Sequence, residues 1–279
     1  MDQIGSANGG FRPLRRFRFT DALWRSGPQA VLSRVLRMIL PGGEVKAKGV
    51  GKSMKLIAIA SQKGGCGKTT LAAHLAVAAE NAGNGPVMLI DADPQRTLTQ
   101  WWEDRSAGGR FTPGLLKRTG GGAGDAEFNL LSDMESMREY GANYVLVDTP
   151  PGLSTEIQEA IRYADLVVIP VRPSPHDLRA SAATVALART FGKDTMFVLN
   201  GATVRTRICA DAILALAQHG PVAPVIIHQR VGLASSMIDG GTTTELYPSS
   251  KASQEIASLW QFLADRMDGK VELALREVC

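Results

Sequence analysis

SQKGGCGKTT, residues 61–70, decides how this chain folds. A short apolar run, Leu56-Ile57-Ala58-Ile59-Ala60, comes before it, and an alanine-rich segment of helical composition, residues 70–82, comes after. Strand, glycine loop and helix in that order is the context in which a phosphate loop works. Gly64, Gly65 and Gly67 let the backbone turn tightly and aim its N–H groups inward. Those donors, with the positive end of the following helix, make an anion site. Lys68 is placed to reach β- and γ-phosphates, and the Thr69 hydroxyl to hold Mg²⁺. The plainer alternative is a glycine-rich turn with two surface lysines.

The loop departs from the ordinary G-x-x-x-x-G-K-[ST] spacing. Gln62, not glycine, stands five residues before Gly67, and a second lysine, Lys63, opens K-G-G-x-G-K-T-T. A nearby stretch, Gly49-Val50-Gly51-Lys52-Ser53, imitates a phosphate loop. It has Lys46 where the first glycine belongs and no apolar strand before it, so it reads as a basic linker.

At 279 residues with 44% hydrophobic content, the chain has ample material for a core. No apolar run approaches the ~20 residues that span a bilayer. The three cysteines, Cys66, Cys209 and Cys279, form no C-x-x-C pair, which fits a reducing compartment and argues against a disulfide framework or a zinc site. The net charge of +4 conceals an asymmetry. Residues 1–53 hold ten Lys/Arg and three Asp/Glu, +7, while the remainder holds 21 basic and 24 acidic residues, −3. The basic character therefore belongs to the leader.

That leader crowds Arg12, Arg15, Arg16, Arg18 and Arg25 among Phe11, Phe17, Phe19 and Trp24. Residues 29–40 follow, with Val31, Leu32, Val35, Leu36, Ile39 and Leu40 on one helical stripe. A basic amphipathic helix suits a membrane surface, a nucleic acid or a partner groove. It can also pack on the core, or lie outside the working protein, since Met54 is an in-frame start just before the first strand. Residues 1–53 are thus read as an extension and 54–279 as the main domain.

From Lys55 onward strands and helices alternate. Strands are expected over residues 86–90, 144–147, 166–171 and 195–199, and helices around Trp101 and Trp102, over 125–140, from Ser154 as cap to about 163, over 177–191 and over 250–267. Residues 105–124 read as a glycine-rich surface connection. After 199, a helix, a strand and two final helices are expected. Continuous apolar strands separated by helices imply a parallel sheet covered on both faces.

Asp148 ends the apolar run Tyr-Val-Leu-Val-Asp, where a carboxylate can hold Mg²⁺ through water. Alternatively it caps the next helix. Asp91 and Asp93 close the second strand in D-A-D-P-Q and are expected on opposite faces of the sheet.

With K-G-G-C-G-K-T-T, D-A-D-P-Q, V-D-T-P-P-G and Asn200 after Met-Phe-Val-Leu, residues 54–268 resemble the ParA/MinD family of deviant Walker A ATPases. Ile169-Pro170-Val171-Arg172-Pro173-Ser174-Pro175 resembles the proline-rich stretch at the monomer contact of the small, ParF-like ParA proteins. The resemblance implies an α/β P-loop NTPase of the SIMIBI type, a mostly parallel sheet covered by helices, here with a basic N-terminal extension. It implies a Mg²⁺-dependent ATPase in which Lys63, Lys68 and Asp93 are catalytic. Lys63 crosses to the partner's nucleotide, Asp93 orients the attacking water, and Asp91 takes a structural or metal-side place. Gly64, Gly65, Cys66, Gly67, Lys68, Thr69, Thr70 and Asn200 bind ATP, with Asn200 at the adenine edge. Thr69, Asp148 and Asp93 serve the metal. The resemblance further implies an ATP-dependent homodimer that binds DNA without sequence preference and is cycled by a ParB-type adaptor to place a plasmid, chromosome region or protein cargo. Arg205, Arg207, Arg230 and Lys251 are the candidate DNA contacts. The protein is then expected in the cytoplasm, on the nucleoid in its ATP state, and not at a membrane. The competing class is a MinD-like membrane-cycling regulator, although the tail, with Asp268, Glu272 and Glu277, lacks a basic apolar face. A third, metabolic P-loop enzymes such as dethiobiotin synthetases, does not account for D-A-D-P-Q.

Overall fold

Leu56, Ile57, Ala58 and Ile59 are all fully buried, so the strand they form, β1 (Lys55–Ile59), has protein on both faces. It lies in the middle of a sheet with order β3-β2-β4-β1-β5-β6-β7, in which every pairing is parallel. The other strands are β2 (Val87–Asp91), β3 (Gly114–Leu115), β4 (Tyr144–Asp148), β5 (Leu166–Val171), β6 (Thr195–Ala202) and β7 (Ile227–His228). The computed structural model describes residues 53–116, 129–204 and 206–270. The amphipathic stretch 29–40, the glycines from 120 to 124, Arg205 and the tail after 270 lie outside the described residues.

Nine helices among the described residues cover the sheet: α1 (Lys68–Asn81), α2 (Thr97–Ala107), α3 (Leu130–Tyr140), α4 (Thr155–Tyr163), α5 (Pro175–Thr190), α6 (Arg207–Ala217), α7 (Val231–Ser235), α8 (Thr243–Leu246) and α9 (Lys251–Met267). Alternation along β1 sends Ile57 and Ile59 to one core, with α1, α2, α7 and α9. Leu56 and Ala58 go to the other core, with α3, α4, α5 and α6. Trp260 of α9 locks the first core, its ring edge-on to Tyr144 at 5.0 Å and its indole N–H donating to Asn84 at 2.8 Å. Among the described residues no helix is long and apolar enough to cross a membrane.

The expected elements are present with shifted ends, and four readings change. First, residues 105–116 are a surface connection only in their middle, 107–112. Arg105 belongs to α2 and is 2% exposed, and Gly114–Leu115 adds a parallel edge strand to β2. Second, Ser154 stands at the N-cap of α4, but its buried hydroxyl has no hydrogen-bond partner among the described residues. Ser174 on α5 does cap its helix, accepting from the Asp177 N–H at 3.2 Å, with Pro175 just inside. Third, β6 continues past Leu199, so Asn200 lies inside the strand, where the pairing with β7 turns irregular. Fourth, three helices follow β7, because α7 and α8 are too short to show a period in sequence.

Candidate active site

A parallel sheet presents the C-terminal ends of its strands at one edge, and every chemistry-bearing motif sits there. β1 runs into the glycine loop. Gly65 and Gly67 take φ of 73° and 90°, left-handed values that a side chain would strain. A Cβ added at Gly64 or Gly65 would meet nothing within 4 Å, so the loop backbone faces open space, a cradle with room for a ligand. Lys68 is buried at the start of α1, with its ammonium 3.4 Å from the Lys63 carbonyl oxygen. Lys63 itself is exposed. The Cys66 thiol is buried and faces the same Lys63 carbonyl at 3.4 Å, and Thr70 is half-buried at the base of the loop.

The register sets Ile59 beside Asp148 and Asp148 beside Asp91. Asp148 is fully buried, and its Oδ2 accepts from the Thr69 hydroxyl at 2.6 Å. Its Oδ1 has no hydrogen-bond partner among the described residues. Desolvation raises its pKa to about 7. The Thr69 hydrogen bond and Lys68 oppose this, and the charges of Asp91 and Asp93 add to it. A buried carboxylate with one bare oxygen beside a threonine hydroxyl fits a hard divalent cation, which favours oxygen donors and would draw the carboxyl back to its charged form. Among the described residues no group of three or more His, Cys, Asp or Glu is placed to hold a metal ion by itself.

Asp91 and Asp93 do not face opposite ways along the strand. Strand alternation repeats every second residue, and β2 stops at Asp91. The Asp91 carboxylate accepts from the Thr99 N–H and hydroxyl, both at 2.8 Å, and from the Asp93 N–H at 3.1 Å. It therefore anchors the first turn of α2, and burial raises its pKa against those bonds. Asp93 is half-buried in the following turn, accepts from the Gln95 N–H at 2.9 Å, and lies near enough to Asp148 to perturb its charge. Arg96 closes the turn with φ 56°, a left-handed conformation uncommon for a residue with a Cβ.

Two more contacts tie this edge together. The Gly152 N–H donates to the Gln62 carbonyl at 3.0 Å, and the Thr149 hydroxyl to the Ile59 carbonyl at 3.0 Å. The segment after β4 is thus pinned to the phosphate loop. Asn200 reaches the loop from β6, and its amide nitrogen donates to the Cys66 carbonyl at 2.7 Å. Its nearest role is to hold the loop.

The candidate DNA contacts separate. Arg205 lies outside the described residues. Arg207, the first residue of α6, is exposed. Arg230 is paired with Glu255 at 2.5 Å, and it shares a cleft with the exposed Lys251. Sequence reasoning missed Thr99, Gln62, His74 and Glu255. Only Thr99, eight residues after Asp91 and near the start of a helix, gave a local signal.

The family model for the CobQ/CobB/MinD/ParA nucleotide-binding domain (CbiA) matches residues 57–243. The chain is 36% identical over 138 residues to the maintenance of carboxysome distribution protein A of Gloeobacter kilaueensis, a match covering 47% of this chain and 55%, about half, of that relative. It is 28% identical over 253 residues to the chromosome-partitioning ATPase Soj of Thermus thermophilus, covering 79% of this chain and 98% of that one. In fold it is similar to the septum site-determining protein MinD of Pyrococcus horikoshii OT3 complexed with Mg-ADP, with a TM-score of 0.61 and 19% identity over 79% of this chain and 100% of that chain. With the family model matching residues 57–243, the chain belongs to the CobQ/CobB/MinD/ParA nucleotide-binding family.

Proposed function

We propose that this chain is a ParA-type ATPase that dimerises on ATP, binds DNA without sequence preference, and is released when a ParB-type partner stimulates hydrolysis. Its cycling would place a plasmid, a chromosome region or a protein cargo. The observation that carries the reading is the contrast between two lysines of one loop. Lys68 is buried in its own loop, while Lys63 is exposed and free to serve a neighbouring copy. Partition and carboxysome positioning in the names of the relatives support the class of task. The protein would work in the cytoplasm and sit on the nucleoid in its ATP state.

Each residue then has a task. The N–H groups of Gly64, Gly65, Cys66 and Gly67 and the start of α1 take the phosphates. Lys68 adds a charge that follows the leaving phosphoryl group, and Lys63 adds another from the partner. Thr69 and Asp148, with Asp93 beside them, would hold Mg²⁺, which when bound neutralises phosphate charge. Asp93 orients the attacking water, and Thr70 closes the base of the cradle. Asn200, which gives one N–H to the Cys66 carbonyl, keeps its amide oxygen and second N–H for the adenine edge. Arg205, Arg207, Arg230 and Lys251 contact DNA phosphates, which makes binding strongly salt-dependent.

The test is turnover with two variants. Lys68→Ala should lose ATP binding. Asp93→Ala should bind ATP and stop before hydrolysis, accumulating the ATP-bound dimer. Normal turnover by either purified variant would remove that residue from the mechanism.

A further inference from the structure

Hydrolysis leaves unused a cleft of about 440 Å³ between α7, α8 and the start of α9. Arg230 and Lys251 put two cations on its wall. Ser250 caps α9, its hydroxyl accepting from the Ser253 N–H at 3.2 Å. The N–H groups of Lys251 and Ala252, also at the wall, have no carbonyl within their own helix, and the helix end is electropositive. Thr243 stands on the same wall and is fully buried, and its Oγ1 has no hydrogen-bond partner among the described residues. A buried hydroxyl without a partner costs stability unless something supplies the bond. Arg230, Lys251 and the first N–H groups of α9 stand on the same wall, so an acceptor is the partner that suits them all.

One residue opposes an incoming anion. Glu255, in the second turn of α9, takes Arg230 at 2.5 Å and also accepts from the His228 N–H at 3.1 Å, with the His228 ring nitrogen at 2.9 Å. Its carboxylate occupies the guanidinium that a ligand would use.

We infer that this cleft seats one phosphate group, held by Arg230, Lys251, the Thr243 hydroxyl and the start of α9, with Glu255 as the internal competitor that sets its affinity. The phosphate can belong to a nucleic-acid backbone or be free in solution. The inference deepens the DNA-binding part of the function proposed above, and it stands apart from the hydrolytic site.

Thr243→Val and Glu255→Gln test it, because neither residue belongs to the nucleotide site. Full-length protein, with its phosphate loop saturated by Mg-ADP, is titrated calorimetrically with inorganic phosphate and, separately, with a short DNA duplex. A hydrogen bond to a charged group corresponds to roughly a tenfold change in affinity. Thr243→Val should weaken binding about tenfold, and Glu255→Gln should tighten it by a similar factor. ATP turnover should stay unchanged in both, so failure here is distinguishable from failure of the ATPase reading. A response in the DNA arm assigns the seat to backbone phosphate, and a response only to inorganic phosphate assigns it to a free anion. Affinities unmoved by both variants in both arms overturn the seat. So does a Thr243→Val protein that loses fold stability, since its hydroxyl would then have a partner inside the protein.

Discussion

His74 offers a sharp test of how the phosphate-loop helix is held. It lies one turn after Thr70 on α1 and is fully buried. Its Nδ1 is 2.8 Å from the Thr70 carbonyl oxygen, so the neutral ring carries its proton there and presents Nε2 as an acceptor to Ser236 Oγ, 3.3 Å away. Burial lowers its pKa from 6.5 to about 4, with the Thr70 carbonyl and Glu245 opposing in part. In the unfolded chain the ring takes its proton near 6.5, so below that pH the unfolded state binds more protons than the folded one. The stabilisation from neutral His74 is full above the unfolded value and is lost as pH falls from 6.5 towards 4. Linkage puts the loss between about pH 7 and about pH 5 at about 2 kcal/mol. Asp148 works with the opposite sign, since its pKa is raised to about 7 and its contribution is lost as pH rises. The wild-type curve therefore mixes two opposed titrations. The difference between wild type and His74→Gln isolates the histidine, because both proteins keep Asp148. Urea unfolding at the two pH values should show the wild-type advantage shrinking by about 2 kcal/mol at the lower one. A difference that stays constant with pH would show that His74 is not held neutral.

Arg105→Met should cost about 3–5 kcal/mol in urea unfolding, because it strands the Glu245 carboxylate, now bound at 2.6 Å, and the carbonyls of Thr112 and Gly240. Gly67→Ala should weaken ATP binding by at least about tenfold with the fold retained, as read by titration with a fluorescent ATP analogue, since the new Cβ would lie 2.5 Å from the Asn200 amide nitrogen at a φ of 90°.

The parts legible in sequence are those fixed by local pattern. β1, β4 and β5 are continuous apolar runs, and they are the centre of the sheet, where both faces are buried. The glycine loop and the strand-ending Asp148 follow from the same context. What stayed hidden depends on partners far along the chain. Arg105 looks like the start of a loop until Glu245, Gly240 and Thr112 surround it. A lone guanidinium gives no sign of a carboxylate 140 residues away. Gly114–Leu115 is too short for a period and becomes a strand only by pairing with Met88 and Leu89. His74 reads as one polar residue in an alanine helix, and its burial follows from α7 packing over α1. Arg230 reads as a free cation until Glu255 is placed beside it.

The ATP-driven dimer turns on Lys63. Wild-type protein with a non-hydrolysable ATP analogue and Mg²⁺ should elute from size exclusion as a dimer, and without nucleotide as a monomer. Lys63→Gln should bind the analogue with nearly wild-type affinity, since the side chain is exposed and serves no bond in its own loop. It should nevertheless remain a monomer. If Lys63→Gln forms the same nucleotide-dependent dimer as wild type, the lysine does not cross to a partner and the account is contradicted.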